Sequence, residues 1–178
     1  MKSIDVIKKL SIPSSYSDNH IGITLYDYVR KLKPKSVIEL GTLHGYSAVC
    51  IGLALKDNGF GKLTCYDLWD KYEFNSTTIE KTREVIERYK LSNIVTLEKG
   101  NAYEVCKEVS DFDLAHVDIS NDGERLAKIL TLLSSHIDNG SEVLFEGGTI
   151  ERDEKSWISK NNKKTINSIK KEFNYYVW

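Results

Sequence analysis

A chain of 178 residues with 40% hydrophobic and 29% charged residues has the make-up of a globular domain with a sizeable core. Its formal net charge of -1 sets up no global field for nucleic acid or an anionic membrane, and no basic stripe supplies a local one. No apolar stretch reaches the length of a bilayer span, and Met1-Lys2-Ser3 is not followed by a signal-peptide core, so a cytoplasmic location is expected. Cys50, Cys65 and Cys106 are odd in number, sit in apolar contexts and lack C-x-x-C spacing, which reads as buried reduced thiols.

The chain begins with a helical preface, residues 1–33. Ile7 and Leu10 share one helical face; Leu25, Tyr28, Val29 and Leu32 share another, with a polar loop from Pro13 to His20 between them. Pro34 ends the second helix by disfavouring a helical Lys33. Strand and helix then alternate. Ser36 to Leu40 reads as a strand, and Ser47 to Lys56 as a helix closed by Asp57-Asn58-Gly59. Lys62 to Asp67 is the second strand. Thr77 and Glu80 have capping-box spacing ahead of a helix striped by Ile79, Val85, Ile86 and Tyr89. Ile94 to Leu97 is the third strand, and Ala102, Val105, Cys106 and Val109 make one face of a short helix. Leu114 to Asp118 is the fourth strand, followed by a helix with Leu126, Ile129, Leu130 and Leu133 on one side. Asn139-Gly140 turns into the strand Glu142 to Phe145. A lysine-rich helix is expected over Ser159 to Glu172, with Ile166, Ile169 and Phe173 as its apolar side, and a last strand over Tyr175 to Trp178.

This alternation predicts an α/β fold, Rossmann-like and doubly wound, with a mostly parallel sheet, helices on both faces and a shortened set of C-terminal strands. One domain is expected over 1–178: the preface (1–33), a cofactor-binding core (34–148), and a C-terminal helix and strand (149–178). In such a sheet ligands bind at the carboxyl ends of the strands. The residues there are Glu39, Gly41, Gly45 and Ser47 after the first strand, then Asp67 and Leu68, then Gly100, Asn101 and Ala102. Asp118 follows the fourth strand, and Glu146-Gly147-Gly148 the fifth. Carboxylates dominate and the first turn has no lysine, against a phosphate loop of the G-x-x-x-x-G-K-[ST] kind. The spacing Gly41-x-x-x-Gly45 also differs from the dinucleotide G-x-G-x-x-G. An acidic rim suits a cofactor with positive charge and ribose hydroxyls: Asp67 can accept from a ribose diol, at roughly 1.5–3 kcal/mol per charge-assisted bond. The glycines would let backbone approach the ligand. Asn101 reads equally as an adenine contact or a helix cap, Trp69 as an adenine wall or as core, His44 as a loop contact and His116 as packing.

Glu39-Leu40-Gly41-Thr42-Leu43-His44-Gly45-Tyr46-Ser47 resembles the E-x-G-x-x-x-G-x-S motif of class I S-adenosylmethionine-dependent methyltransferases, nearest to the small caffeoyl-CoA and catechol O-methyltransferases. The resemblance continues through Gly61 to Asp67, Lys99-Gly100-Asn101-Ala102 and Phe112 to Asp118, spanning roughly residues 20–148. It implies S-adenosylmethionine as cofactor, held by Glu39, Gly41, Thr42, Gly45, Ser47, Asp67, Leu68, Asn101, Ala102 and Asp118. Asp118 and Glu146 are the candidate catalytic groups, with His20 and His44 as secondary bases. Metal-dependent members of that family carry an Asp-Asn pair after the fifth strand and a lysine after the fourth. Here Glu146-Gly147 and Ser120-Asn121 stand in those places. Asp118 and Glu146 can still offer oxygens to Mg²⁺, but a required divalent cation is not expected and no metal ligand is assigned. The expected activity is methyl transfer to a small-molecule hydroxyl. The competing reading is a protein of the same fold that binds S-adenosylmethionine or a partner without efficient catalysis. No [ND]-P-P-[YF] stretch marks a nucleobase or amide acceptor. A homodimer through an edge strand or the preface is compatible with the sequence.

Overall fold

Lys33 takes a left-handed conformation (φ 55°) directly before Pro34, where a right-handed helical one is sterically disfavoured, and so the preface stops and the sheet begins. The computed structural model of the chain describes residues 2–14, 20–69, 77–119, 122–145, 150–154 and 156–169. The preface contains α1 (Ser3–Ile7) and α2 (Ile21–Leu32). The core runs β1 (Ser36–Leu40), α3 (Tyr46–Asn58), β2 (Lys62–Asp67), α4 (Ile79–Arg88), β3 (Val95–Lys99), α5 (Ala102–Glu108), β4 (Leu114–Val117), α6 (Gly123–Leu132), α7 (Ser134–Asp138) and β5 (Glu142–Phe145). Then come α8 (Ile150–Asp153), α9 (Ser156–Lys160) and a 3₁₀ turn, Asn167–Ile169.

The five strands described form one parallel sheet in the order β3-β2-β1-β4-β5. This is the open, doubly wound arrangement expected from the alternation. The order reverses between β1 and β4, so the crevice for a ligand lies at the carboxyl ends of those two strands. Strand pleating divides the core in two. Val37 and Leu114 face α2 and α3, whereas Ile38, Leu40, Ala115 and Val117 face α5 and α6. Between sheet and α2, helix α3 is buried without a break from Ser47 to Leu55, as a helix covered on both sides must be. Carboxylates hold β1 at both ends. At its start, Asp113 Oδ2 accepts from Lys35 N (2.5 Å) and Ser36 N (3.0 Å); its exit is described below.

Several local expectations shift: α3 runs Tyr46–Asn58 where Ser47 to Lys56 was expected, and β4 ends at Val117, one residue before Asp118. The cap of α4 is Thr78, whose hydroxyl accepts from Lys81 N at 3.4 Å, one residue beyond Thr77. Strand β3 runs Val95–Lys99 instead of Ile94 to Leu97. The lysine-rich helix does not run from Ser159 into the 160s: α9 ends at Lys160, and Asn162 is left-handed (φ 49°). The reason is a long-range contact. The Asp153 carboxylate accepts from Ile166 N (2.9 Å) and Asn167 N (2.8 Å), and Ile166 and Ile169 are buried in the cluster on the α6 side. Gly123 N, at the start of α6, donates to Lys164 O (2.8 Å), so this segment is docked on α6 through its backbone. The strand expected over Tyr175 to Trp178 lies outside the described residues.

Two outcomes follow for stability. Replacing Asp153 by alanine removes a charged acceptor from two backbone donors, and urea denaturation will read a loss of about 2–4 kcal/mol. The pH dependence is set by groups that the fold keeps neutral. Burial and a hydrogen bond to Glu142 push Tyr28 up to about 12; burial and a bond to Asp57 push Tyr26 up to about 12; burial pushes the Cys106 thiol up to about 11. Folded values above unfolded ones mean that unfolding releases protons. The stability is therefore whole below about pH 9 and is lost as the pH rises through the folded values. Denaturation curves at pH 8 and pH 10.5 will show the decline.

Candidate functional site

Leaving β1, the chain makes one more rung of the ladder, Gly41 N to Tyr66 O at 2.8 Å, and then turns away from β2. The next two N–H groups would lose their partners there. Instead Thr42 N and Leu43 N both donate to Asp67 Oδ2, each at 2.8 Å, while Asp67 Oδ1 accepts from Trp69 N at 2.9 Å. Gly45 N closes the turn on Thr42 O (2.9 Å), and among the described residues no side chain caps the N-terminus of α3. An uncapped helix start at a switch point directs N–H groups and a positive dipole end at whatever binds there.

The two loop glycines answer to the protein itself. Both are left-handed, Gly41 at φ 89° and Gly45 at φ 85°. A Cβ on Gly41 would lie 2.3 Å from the Asp118 carbonyl oxygen, and one on Gly45 would lie 3.2 Å from Thr82 Cγ2. So the missing side chains serve packing against the β4 exit and α4, where the sequence suggested approach to a ligand.

Glu39 is fully buried. Pleating places it on the α3 side with His116, its register partner on β4, and His116 Nδ1 stands 2.9 Å from Glu39 Oε1. Glu39 Oε2 and Thr42 Oγ1 find no nitrogen or oxygen partner among the described residues; both side chains meet the Cys65 thiol. The Cys65 thiol, register partner of Glu39 on β2, is held well above its ordinary pKa by burial first and the Glu39 carboxyl second. Cys50 on α3 is raised for the same two reasons. Glu39 is thus a buried partner of His116, beneath the exit of β1.

The remaining expected residues fall as follows. Ser47 is buried in the first turn of α3, and Leu68 is half-buried at the β2 exit. Asn101 caps α5, its side-chain oxygen accepting from Tyr103 N at 2.9 Å, with Ala102 as the first helical residue. Asp118 sits at the β4 exit, its N–H donating to Leu40 O at 2.8 Å, against Gly41. Trp69 is core, with 0% exposure. His44 is half-buried in the turn. Glu146, Gly147, Ser120 and Asn121 lie outside the described residues. The structure therefore brings Gly41, Thr42, Gly45, Asp67 and Asp118 to one edge.

Sequence reasoning missed Thr82. Its hydroxyl donates to Leu43 O at 2.7 Å, tying α4 to the loop. The signal was a threonine at a stripe position, three residues after Ile79 and four before Ile86.

A concavity of about 580 Å³ opens at the amino edge of the sheet, lined by Lys33, Lys35, Asp113, His136 and Ser141 among others. Its Asp113 is committed to β1 and its His136 stacks on Phe112 (centroids 4.9 Å apart). Among the described residues, no three of His, Cys, Asp and Glu gather as a cation site. Among them also, no helix is long and apolar enough to cross a membrane.

Comparison with known proteins agrees with this geometry. The family profile described as "Methyltransferase domain" matches residues 38–146, from β1 past the end of β5. Among solved structures, the SAH-bound Podospora anserina methyltransferase PaMTH1 superposes with a TM-score of 0.61 at 21% identity, over 81% of this chain and 59% of its own. Cofactor-bound Rv0187 from MTB gives 0.64 at 16% identity, over 97% and 77%. The O-methyltransferase from Bacillus cereus in complex with SAH gives 0.52 at 21% identity, over 73% and 59%. At these identities the likeness is one of fold, and this chain spans less than two thirds of the length of PaMTH1 and the Bacillus cereus protein. No curated protein sequence matches.

The Glu39–His116 pair yields a double-mutant cycle. His116→Leu leaves the Glu39 carboxyl buried without its partner and will cost about 3–5 kcal/mol in urea denaturation. Adding Glu39→Leu will recover much of that loss, because two apolar groups replace the pair.

Proposed function

This chain belongs to the methyltransferase-domain family, and we propose that it binds S-adenosylmethionine at the carboxyl edge of β1 and transfers its methyl group to a hydroxyl oxygen of a small molecule. The observation that carries the reading is the β1–α3 turn, held open by Asp67 and leading into an uncapped helix, at the switch point between β1 and β4. PaMTH1 and the Bacillus cereus O-methyltransferase, which share the fold, are SAH-bound.

The residues present fit that cofactor. The start of α3 can receive a carboxylate on its N–H groups. A carboxylate has about four acceptor positions, and three of those on Asp67 are taken by Thr42, Leu43 and Trp69. Among the described residues, one position on Oδ1 is left for a ribose hydroxyl. Asp67 thus acts as a clamp on the loop with one hand for the ligand, a narrower role than bidentate capture of the diol. The half-buried Leu68 follows it, and Asn101 and Ala102 border the neighbouring strand end. Glu39 supports the loop from below, with His116 fixing its orientation.

When bound, S-adenosylmethionine supplies a methyl group already activated on a sulfonium. The protein's part is then to align the acceptor and exclude water. Asp118, at the switch point beside Gly41, is the group we assign to orient the acceptor hydroxyl or take its proton, with Glu146 as its partner. No divalent cation is assigned, because Glu146-Gly147 and Ser120-Asn121 replace the Asp-Asn pair and lysine of the metal-dependent enzymes. We read 1–178 as one domain serving this one site.

Titration calorimetry with SAH and S-adenosylmethionine tests the donor half. Binding is expected for both, and none for NAD; binding of NAD alone would overturn the reading. Asp67→Ala is expected to weaken SAH about 100-fold, or about 2.7 kcal/mol, and to lower stability as well, since three N–H groups lose their acceptor. Methyl transfer to a panel of hydroxyl acceptors tests the other half, with EDTA expected to leave turnover unchanged. Cofactor binding with no transfer across the panel would instead favour a non-catalytic binder of the same fold.

A further inference from the structure

Two residues without glycine's freedom are left-handed where the loop meets the β2 exit: Leu43 at φ 48° and Trp69 at φ 42°. Bulky side chains avoid this region, and such outliers persist only where the surroundings over-determine them. Leu43 is 44% exposed, so burial of its own side chain does not hold it there.

What holds it is a pair of donors, the Thr82 hydroxyl and the single Trp69 indole N–H, which is shared between the Leu43 carbonyl and Thr82 Oγ1. The Leu43 carbonyl accepts from Thr82 Oγ1 at 2.7 Å and from Trp69 Nε1 at 3.2 Å, and Trp69 Nε1 also reaches Thr82 Oγ1 at 3.1 Å. Trp69 and Thr82 are both 0% exposed, so these bonds form away from competing water. Thr82 is anchored in turn, its hydroxyl lying 3.1 Å from Thr78 O one turn back on α4. The other side of Leu43 is tied as well, its N–H donating to Asp67. Since the peptide is planar and trans, an inward Leu43 carbonyl sets the His44 N–H on the opposite side and fixes the direction of that peptide within the loop.

We propose that Trp69 and Thr82 are positioning residues for the cofactor site, holding Leu43 left-handed so that the loop 41–45 has its binding shape before the ligand arrives. The inference rests on the assignment of this loop to S-adenosylmethionine. Neither residue touches the ligand; both act through the Leu43 carbonyl. Pre-organisation of this kind strengthens binding because the ordering is complete beforehand.

The test compares SAH binding by calorimetry in the unaltered chain, Thr82→Val, Thr82→Ser and Trp69→Phe. Valine keeps the shape of threonine and removes the hydroxyl. It is expected to weaken SAH about 5- to 10-fold, the size of one lost hydrogen bond. Serine restores the hydroxyl and is expected to bind within about 2-fold of the unaltered chain. The Trp69 indole N–H resonance, assigned by its loss in Trp69→Phe, is expected to shift in Thr82→Val and return in Thr82→Ser. If Thr82→Val loses thermal stability while binding SAH as tightly as the unaltered chain, the pair is structural only and the proposal is overturned. If serine is as weak as valine, the hydroxyl is not the agent and the proposal is likewise overturned. An unaltered chain that binds neither SAH nor S-adenosylmethionine overturns the functional reading itself, and the lock with it.

Discussion

The carboxylate of Asp67 is the point on which the loop geometry depends. Parallel β1 and β2 run in register as far as Leu40 and Tyr66, and one further rung is made by Gly41. Beyond it β1 must leave the sheet to begin α3, and the ladder can no longer supply acceptors. A backbone donor buried without a partner costs about 1–3 kcal/mol. The side chain of the last β2 residue takes over from its backbone and gathers Thr42 N and Leu43 N on a single oxygen. Asp113 does the same for the start of β1, across from β4. A strand held at both ends by neighbouring strands' carboxylates can turn sharply without fraying.

Magnitudes explain why the arrangement needs several ties at once. Left-handed Leu43 and Trp69 each cost of order 1–3 kcal/mol. Hydrogen bonds to a charged acceptor contribute about 1.5–3 kcal/mol each, and neutral ones about 1. No single bond offsets both strained residues, whereas the Asp67 set and the two donors on the Leu43 carbonyl do so together. The loop is therefore ordered by tertiary contacts from β2 and α4, and its shape is a property of how those elements pack. The buried Glu39–His116 pair adds a second constraint from below, joining β1 to β4 beneath the same turn.

What the sequence revealed and what it hid divide by range. Strands β1, β2 and β5 were legible to the residue, because short apolar runs flanked by Pro, Gly and Asp leave few alternatives. The cap of α4 shifted by one because Thr77 and Thr78 are equally good candidates locally, and only packing decides between them. The C-terminal helix was misread for a stronger reason. Its lysines and spaced isoleucines fit a helical pattern, but the Asp153 carboxylate claims the N–H groups of Ile166 and Asn167 from more than ten residues away. Glu39 in an apolar strand called for a partner, and that partner, 77 positions on, was visible only as a histidine suited to packing. In the site, the positions of Gly41, Gly45, Asp67 and Asp118 were legible. Their hydrogen-bond commitments were not, since those depend on which backbone groups the turn leaves bare.

The spacing of the two loop glycines has its explanation in those contacts. Gly41 lies against the Asp118 carbonyl of the β4 exit, and Gly45 lies against Thr82 of α4. The loop thus runs between two elements on opposite sides, and at each end it must shed a side chain to pass. The contact at Gly45 is also what allows α4 close enough for the Thr82 hydroxyl to reach the Leu43 carbonyl. A Cβ at position 45 would meet Thr82 Cγ2 at 3.2 Å, so that the Thr82 side chain would have to give by a few tenths of an ångström. Read this way, Gly-x-x-x-Gly records the distance between the β4 exit and α4. The start of α3 lies open where the two are brought together.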